Sequence, residues 1–348
     1  MLNVTIEPAF FAPPFETRTR EMVLSYVDSL LAWKNVQDAG HVALCVSERT
    51  SEALLLSKSY PLRPWLRELL AEARVIEYDA NTIAVVAETI LGRALSLEQA
   101  IRVTDLLAED LLMTPNLAHD QLPPEIRAAT ERVVLMLAIV RAFGTDASAK
   151  ANGIVIRESR NVPVVSIRGL VTILEHSRAD LEQLSDLPKI FEGSSIICAN
   201  FHDYLMALDE YILWQIAESG EEIELAIKAA QYKARASRGE LTAWERLPRF
   251  RQHARFIDSL KACGTQADVS LGRSCLRAIS EALDGRQMAA THVLRTGQGA
   301  NDPPVMRGAD VAWRRDIDYE YHLHYWICGG GELEFSCIVS HNDFGIHG

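Results

Sequence analysis

The feature that most constrains the fold is a pair of alternating segments near the end of the chain, residues 319–326 and 333–339, separated by glycines at 329–331. In both segments apolar and polar side chains alternate with the period of a half-buried β-strand. Glycines between two such segments favour a tight turn, so the pattern predicts an antiparallel β-hairpin. Because side chains two apart on a strand share a face, His322 and His324 are expected to lie side by side.

The remainder of the chain has mainly helical periodicity. Helices are predicted at 16–38, 61–74, 123–143 and 244–263 and from a capping-box start at Ser96, and short strands at 153–157 and 162–167, which form a second hairpin. We therefore predict an α+β fold, with a mostly helical body with short strands and a C-terminal antiparallel β module. The expected organisation is a helix-rich N-terminal domain at 1–150, a mixed middle region with basic helices at 151–285 and the β-hairpin module at 286–348.

Composition excludes several classes of protein. Hydrophobic residues make up 48% and charged residues 24% of the 348 residues, which is ordinary for a globular protein. No stretch approaches the roughly 18 uncharged apolar residues of a membrane span. The first residues lack the basic and apolar regions of a signal peptide, so we expect a cytoplasmic protein without a membrane partner. The six cysteines show no CxxC spacing, which excludes a zinc ribbon or a zinc finger.

Charge is distributed unevenly along the chain. The net charge of −12 disfavours a protein that coats nucleic acid, but between Lys228 and Arg277 there are 11 Lys and Arg against 4 Asp and Glu. Such a basic segment is a candidate for binding phosphate groups, and Arg251 and Arg255, four apart on a predicted helix, would share one face. The alternative is a solvated helix face or a contact surface for the acidic part of the same protein.

The register of the terminal hairpin can be predicted from its apolar faces. Pairing Leu323 with Phe335 buries both and sets His324 opposite Glu334. His322, His324 and Glu334 would then share one polar face, held in place by the aromatic and aliphatic side chains on the other face. A solvent-facing sheet surface carries the same alternation without any chemistry, which is the structural alternative.

Two histidines beside a carboxylate suit acid–base catalysis on a phosphodiester. A neighbouring carboxylate favours the imidazolium form, which poises a histidine near neutral pH. One histidine would take the 2′-hydroxyl proton of RNA, the other would protonate the leaving oxygen, and an arginine would stabilise the transition state. The predicted catalytic residues, which need no cofactor, are His322, His324, Glu334, Arg314 and Arg315.

The same histidines are also candidate metal ligands. Two imidazoles at i and i+2 bind Zn²⁺ or Mn²⁺ when further ligands lie near, and His341 and Asp343 follow the second strand. On this alternative, His322, His324, His341 and Asp343 form the metal site of a metal-dependent hydrolase.

A short C-terminal module with a glycine-closed hairpin, paired aromatics and His, Arg and Glu on one sheet face resembles the RelE-type family of small ribonuclease toxins, including relatives at the C-termini of larger bacterial proteins. The resemblance covers the last 60 or so residues and rests on this pattern rather than on an aligned motif. It implies a bacterial effector-type nuclease, a metal-independent endoribonuclease acting on RNA. The helical body would then regulate it or bind a protein partner that restrains or recruits it.

The chain departs from that family in its charge. Residues 287–348 contain 4 Arg, no Lys and 8 Asp and Glu, whereas a ribonuclease toxin is basic. Substrate phosphates would therefore be bound by Arg295 and Arg307, or by Arg251 and Arg255 of the basic segment. The competing hypothesis is a non-enzymatic subunit or interaction protein of a bacterial assembly, in which the hairpin is a docking edge.

Overall fold

Two compact units, Met1–Leu208 and Asp209–Gly348, make up the chain. The computed structural model describes residues 2–14, 18–118, 121–157, 162–240, 243–286, 288–297 and 301–348. Helix accounts for 45% and strand for 25% of the structure, which confirms the α+β fold with its C-terminal antiparallel sheet. The boundary between the units falls after residue 208, so the predicted middle region at 151–285 contributes residues to both.

The first unit contains a seven-stranded mixed sheet. Its strands are β1 (Leu2–Ile6), β2 (Val42–Val46), β3 (Leu95–Ser96), β4 (Val103–Thr114), β5 (Gly153–Val155), β6 (Val164–His176) and β7 (Lys189–Cys198). They lie in the order β3-β2-β1-β5-β7-β6-β4. The first five in that order are parallel, β6 is antiparallel to β7, and β4 is antiparallel to β6.

Helices cover this sheet. They are α1 (Pro8–Phe11), α2 (Arg20–Asp38), α3 (Thr50–Leu56), α4 (Arg63–Glu72), α5 (Ala80–Arg93), α6 (Leu97–Ile101), α7 (Pro124–Phe143), α8 (Ala147–Ala151) and α9 (Phe201–Ala207), with a 3₁₀ turn at Ala179–Leu184. Every residue of α7 from 133 to 140 is buried, as expected for a helix that is apolar on all sides. Among the described helices, none is both long and apolar enough to span a bilayer.

The described residues of the second unit form four α-helices and a six-stranded sheet. Its helices are α10 (Glu210–Ile216), α11 (Gly220–Ser237), α12 (Phe256–Ala262) and α13 (Val269–Leu283), with 3₁₀ turns at Trp244–Arg246 and Met288–Ala290. Its strands are β8 (Phe250–Gln252), β9 (Thr291–Val293), β10 (Met306–Arg307), β11 (Asp310–Asp316), β12 (Tyr321–Ile327) and β13 (Leu333–Ser340). The order is β10-β11-β12-β13-β8, and β9 pairs with β11.

One face of this second sheet is apolar and packs on helices. Leu323 and Phe335 are fully buried there, and the Phe256 ring of α12 stacks on Phe335 with ring centroids 5.9 Å apart. Burying an aromatic side chain of this kind contributes about 1.5–3 kcal/mol, so this contact holds the hairpin against the helices. The opposite face of the hairpin carries the candidate site.

Three sequence predictions differ from the observed elements. The predicted helix at 244–263 is a 3₁₀ turn, strand β8 and helix α12, because β8 gains a parallel pairing with β13. Ser96 does cap a helix, but α6 ends at Ile101 and the long strand β4 follows. Strand β5 pairs with β1 and β7 rather than in a hairpin with β6, and the predicted turn at 158–161 lies outside the described residues.

Candidate functional site

The C-terminal hairpin forms, but its strands pair in a different register from the predicted one. Tyr325 lies opposite Phe335 and Trp326 opposite Glu334, and a β-bulge between Tyr325 and His324 then shifts the pairing by one residue, so that His324 lies opposite Cys337. The predicted pairing of His324 with Glu334 is therefore wrong. The turn is centred one residue later than the apolar faces suggested, and the bulge adds a residue that the two-residue period of a strand does not anticipate.

The neighbouring strands nevertheless bring six polar residues together, which we call the histidine cluster: His292, Arg314, Asp316, His322, His324 and His341. Arg314 of β11 lies opposite both His292 of β9 and His324 of β12, and Asp316 lies opposite His322. Directly opposite residues project from the same face of a sheet. The structure thus confirms that His322 and His324 share a face, and it adds residues from two further strands.

His322 lies at the centre of the cluster. Its Nε2 is 3.2 Å from Oδ1 of Asp316, and its side chain is 1% exposed. Since a carboxylate accepts hydrogen bonds, Nε2 carries the proton and Nδ1 carries the lone pair. Nδ1 is buried and has no hydrogen-bond partner among the described residues. Burial lowers the pKa of His322; Asp316 raises it, while Arg314, His341 and His292 lower it further.

The ring of His324 is buried and is oriented by the segment that follows β13. Its Nδ1 lies 2.8 Å from the carbonyl oxygen of Gly345, and because a carbonyl only accepts, Nδ1 is the protonated nitrogen. Its Nε2 is buried without a hydrogen-bond partner in the described part of the chain. Burial lowers the pKa of His324 to about 4, and the ring is fully buried. Neither this ring nor that of His322 is placed to touch a substrate directly.

The exposed members of the cluster are His292 and His341, with Arg314 and Asp316 half-buried between them. The ring centroid of His341 lies 4.6 Å from that of His322. Within the described ranges no carboxylate forms an ion pair with Arg314. The cluster therefore presents two accessible imidazoles and a guanidinium above a buried, neutral imidazole.

The alternative metal site is not assembled here. Among the described residues, no group of three or more His, Cys, Asp or Glu side chains is arranged to hold a metal ion. Nδ1 of His324 is occupied by Gly345, and Oδ1 of Asp343 accepts a hydrogen bond from the Gly345 amide at 2.7 Å. His322, His324, His341 and Asp343 thus do not form the predicted four-residue ligand set.

Arg314 and Arg315 project from opposite faces of β11, as consecutive strand residues must. Arg315 is 1% exposed and forms an ion pair with Glu281 of α13 at 2.5 Å. Its Nη1 also donates to the Arg286 carbonyl and to Oγ1 of Thr291. The predicted catalytic role therefore does not fit Arg315, whose guanidinium joins the sheet to α13 on the side away from the histidines.

Glu334 belongs to a separate group of charges on the same sheet. Both of its carboxylate oxygens accept hydrogen bonds from Arg307, at 3.0 and 2.9 Å. Arg307 also pairs with Asp310 and lies over the Trp326 ring at 4.7 Å. Arg307 lowers the pKa of Glu334, which stays ionised as a structural partner. The structure therefore separates Glu334 from the histidines and leaves Arg307 with two acidic partners.

The remaining predicted phosphate ligands are dispersed. Arg251 lies on β8 and pairs with Glu332 at 2.7 Å, while Arg255 is exposed just before α12, so the two do not share a helix face. Arg295 donates from Nη1 to the Asp302 carbonyl. The predicted substrate-binding residues thus do not form one surface, because the helix expected to carry two of them is interrupted.

Sequence reasoning missed Asp316 and His292. Asp316 stands two residues after Arg314, so the strand period would place both on one face, but no strand was predicted at 310–316. His292 is one of the five histidines in residues 292–348, but only the pairing of β9 with β11 reveals its position. Residues 310–316 have no regular alternation of polar and apolar side chains, so no local pattern marked β11 as a strand.

Acidification should destabilise the second unit through His324. Its pKa is about 4 in the fold and about 6.5 when unfolded, so the unfolded chain binds the proton more readily and stability falls as pH drops from 6.5 towards 4. Once the pH is below both values, the free energy of unfolding is lower by about 3 kcal/mol. We expect NMR titration of the His324 ring to show a midpoint near pH 4.

The matched variant for this prediction is His324→Gln, because glutamine retains a donor for the Gly345 carbonyl but does not titrate. Denaturation of this variant should show a shallower loss of stability between pH 6.5 and pH 5 than the wild-type protein. If the His324 ring titrated with the midpoint of an ordinary histidine, or if the stability of the two proteins fell equally with pH, the ring would not be a buried, neutral one.

Function has to be argued from the geometry of the histidine cluster, because a fold of helices on sheets is compatible with many activities. Comparison with known proteins does not identify a relative. No protein-family model, no curated protein and no solved structure matches the chain.

Proposed function

We propose that the second unit cleaves RNA at phosphodiester bonds without a metal ion. His341 and His292 act as general base and general acid, Arg314 stabilises the transition state, and His322 with Asp316 positions the site. The observation that carries the proposal is the contact of the buried His322 ring with both Asp316 and His341, while Arg314 and His292 stand opposite each other on the adjoining strands.

The proposed division of labour follows from exposure. A general base or acid must come within hydrogen-bond reach of the proton that it moves, and of the cluster histidines only His292 and His341 are exposed. Histidine suits both roles near neutral pH because its ordinary pKa is about 6.5. Arg314 stands on β11 directly opposite His292 of β9, on the sheet face where His341 contacts His322.

Asp316 and His322 would act through the exposed groups. The carboxylate fixes the His322 tautomer, and burial keeps this ring uncharged beside His341. Because His322 is neutral, it does not repel His341 when that ring takes up a proton, although the two ring centroids are only 4.6 Å apart. We therefore assign His322 and Asp316 a positioning role rather than contact with RNA.

The chemistry requires the RNA 2′-hydroxyl. His341 removes its proton, the 2′-oxygen attacks the adjacent phosphorus, and the bond to the 5′-oxygen breaks as that oxygen receives a proton from His292. The products are a 2′,3′-cyclic phosphate and a free 5′-hydroxyl. A general base and a general acid each contribute about 10²–10⁴-fold in such reactions, and a positioned guanidinium adds stabilisation of the developing charge.

The proposal is tested with two labelled single-stranded oligonucleotides, one of RNA and one with a 2′-deoxy nucleotide at each cleavage position. We expect the full-length protein to cleave only the RNA, with EDTA present, and to leave 2′,3′-cyclic phosphate ends. Cleavage that EDTA abolishes would support a metal-dependent hydrolase instead. Equal cleavage of both oligonucleotides, or none by folded protein, would overturn the proposal.

A second function, binding a protein partner, is favoured by the first unit. On the outer strands of its sheet, Leu107 and Ile173 lie opposite each other although 47% and 39% exposed, and Ile190 is 59% exposed beside Leu170. Exposed apolar groups on a sheet face that ends at the edge strand β4 suit a protein contact. If this is the main function, the folded protein will have no nuclease activity.

A further inference from the structure

A cavity of about 350 Å³ lies between α11 and α13 of the second unit, and we call it the arginine groove. Its volume is at the lower end of the range of about 300–1,000 Å³ that small-molecule sites occupy, which suits a small ligand. The charged side chains that line it are four cations and two carboxylates: Lys233, Arg238, Arg273, Arg277, Glu210 and Glu281. The lining therefore has an excess of positive charge, although the protein as a whole has a net charge of −12.

Both carboxylates of the arginine groove are already engaged by cations. Oε2 of Glu210 lies 2.6 Å from Nζ of Lys233. Oε2 of Glu281 lies 2.5 Å from Nη2 of Arg315, which does not line the groove. Arg238 has acidic partners as well. The positive charge that is left over belongs to the two arginines of α13.

These two arginines, Arg273 and Arg277, stand one helical turn apart and project from the same side of α13. Arg277 is exposed and forms neither an ion pair nor a hydrogen bond within the described part of the chain. The side chain of Arg273 is 55% exposed, and its ion pair with Asp209 is long, at 3.7 Å. An exposed pair of that length contributes little, so the charge of Arg273 remains available to a ligand. The Tyr211 ring, 5.6 Å from this guanidinium, holds it beside the groove.

The uncharged part of the lining combines an apolar floor with two hydroxyl groups. Ala230 and Ala234 of α11 and Leu276 of α13 form the floor, and the two alanines leave room for a ligand because their side chains are short. Ser237 and Ser280 supply the hydroxyls. Oγ of Ser280 donates to the Leu276 carbonyl at 2.8 Å, so it retains only the capacity to accept from a ligand. A molecule bound by both arginines would lie with its uncharged part against this floor.

We propose that the arginine groove binds an organic diphosphate of the size of a nucleoside diphosphate, with one phosphate at Arg273 and the next at Arg277. Guanidinium groups bind phosphate oxygens through two parallel hydrogen bonds, and two guanidiniums one helical turn apart match two adjacent phosphates. A diphosphate supplies the several negative charges that two available cations require, whereas a single carboxylate supplies one. The groove is separate from the histidine cluster, and this inference does not depend on RNA cleavage.

The test is isothermal titration calorimetry of the full chain with ADP, inorganic pyrophosphate and adenosine. We expect ADP to bind, pyrophosphate to bind more weakly because it does not reach the apolar floor, and adenosine to show no measurable binding. Arg277→Ala should weaken ADP binding about tenfold, because it removes a charged hydrogen-bond donor. Ala234→Leu should weaken the binding of ADP but not of pyrophosphate, because the added methyl groups fill the floor alone.

Arg251→Ala is the matched control, because Arg251 is also exposed but is paired with Glu332 and does not line the groove. It should bind ADP with the wild-type affinity. The inference is overturned if neither ADP nor pyrophosphate binds, if Arg277→Ala binds ADP as tightly as the wild-type protein, or if pyrophosphate binds as tightly as ADP. Arg277 is not part of the histidine cluster, so these outcomes are independent of whether the protein cleaves RNA.

Discussion

Replacing His341 with alanine is expected to lower the rate of RNA cleavage by about 10²–10⁴-fold. The exposed ring of His341 is the imidazole nearest to His322, with ring centroids 4.6 Å apart, and no other exposed histidine of the cluster borders it as closely. The loss should appear in kcat, because proton transfer occurs in the transition state and not in binding. Single-turnover cleavage of a labelled RNA by saturating protein measures it directly.

The control is His202→Ala, which removes an exposed histidine from α9 in the first unit. It should leave the rate unchanged, and circular dichroism should show that both variants keep their secondary structure. His341 is exposed, so its removal is expected to have little effect on folding. If His341→Ala cleaved RNA at the wild-type rate, His341 would not be the general base.

Replacing Arg315 with alanine is expected to destabilise the second unit by about 3–5 kcal/mol. The substitution leaves Glu281 without its buried partner and removes the hydrogen bonds that Nη1 donates to the Arg286 carbonyl and to Thr291. A buried charge that loses its counter-charge costs far more than a surface ion pair. Amide hydrogen exchange on β11 and β12 would report the loss as faster opening of this sheet.

The adjacent residue supplies the matched control for this prediction. Arg314 is half-buried and has no ion pair within the described residues, so Arg314→Ala should change stability by less than about 1 kcal/mol. If Arg315→Ala and Arg314→Ala proved equally stable, the ion pair with Glu281 would not be a structural element. The two variants should also differ in activity, since only Arg314 faces the histidine cluster.

Much of the candidate site was predictable from the period of the strand. The alternation in 319–326 placed His322 and His324 on one face, and the structure has them stacked with ring centroids 6.3 Å apart. The same period separates Arg314 from Arg315. Which of the two arginines faces the helices, however, depends on which sheet face is covered. Only the packing of α13 shows that Arg315 is buried.

The partners of the site residues were beyond sequence reasoning for a physical reason. Glu334 was assigned to His324, but the turn is centred one residue later, which puts Trp326 opposite Glu334, and strand β10 brings Arg307 to that carboxylate. Neither the bulge nor the short strand leaves a distinct signal in local periodicity. The same holds for Gly345, whose carbonyl reaches His324 only because the last residues fold back over the sheet.

The sequence by itself determined the local elements: the buried helix α7, the terminal hairpin, and the side-by-side placement of two histidines. These depend on the spacing of apolar residues, which acts over a few positions along the chain. The tertiary structure alone decided the strand order, the burial of both histidine rings and the exposure of His341 and Arg277. Those properties depend on contacts between residues far apart in sequence, and burial is what sets the pKa of His324 and the role of each charge.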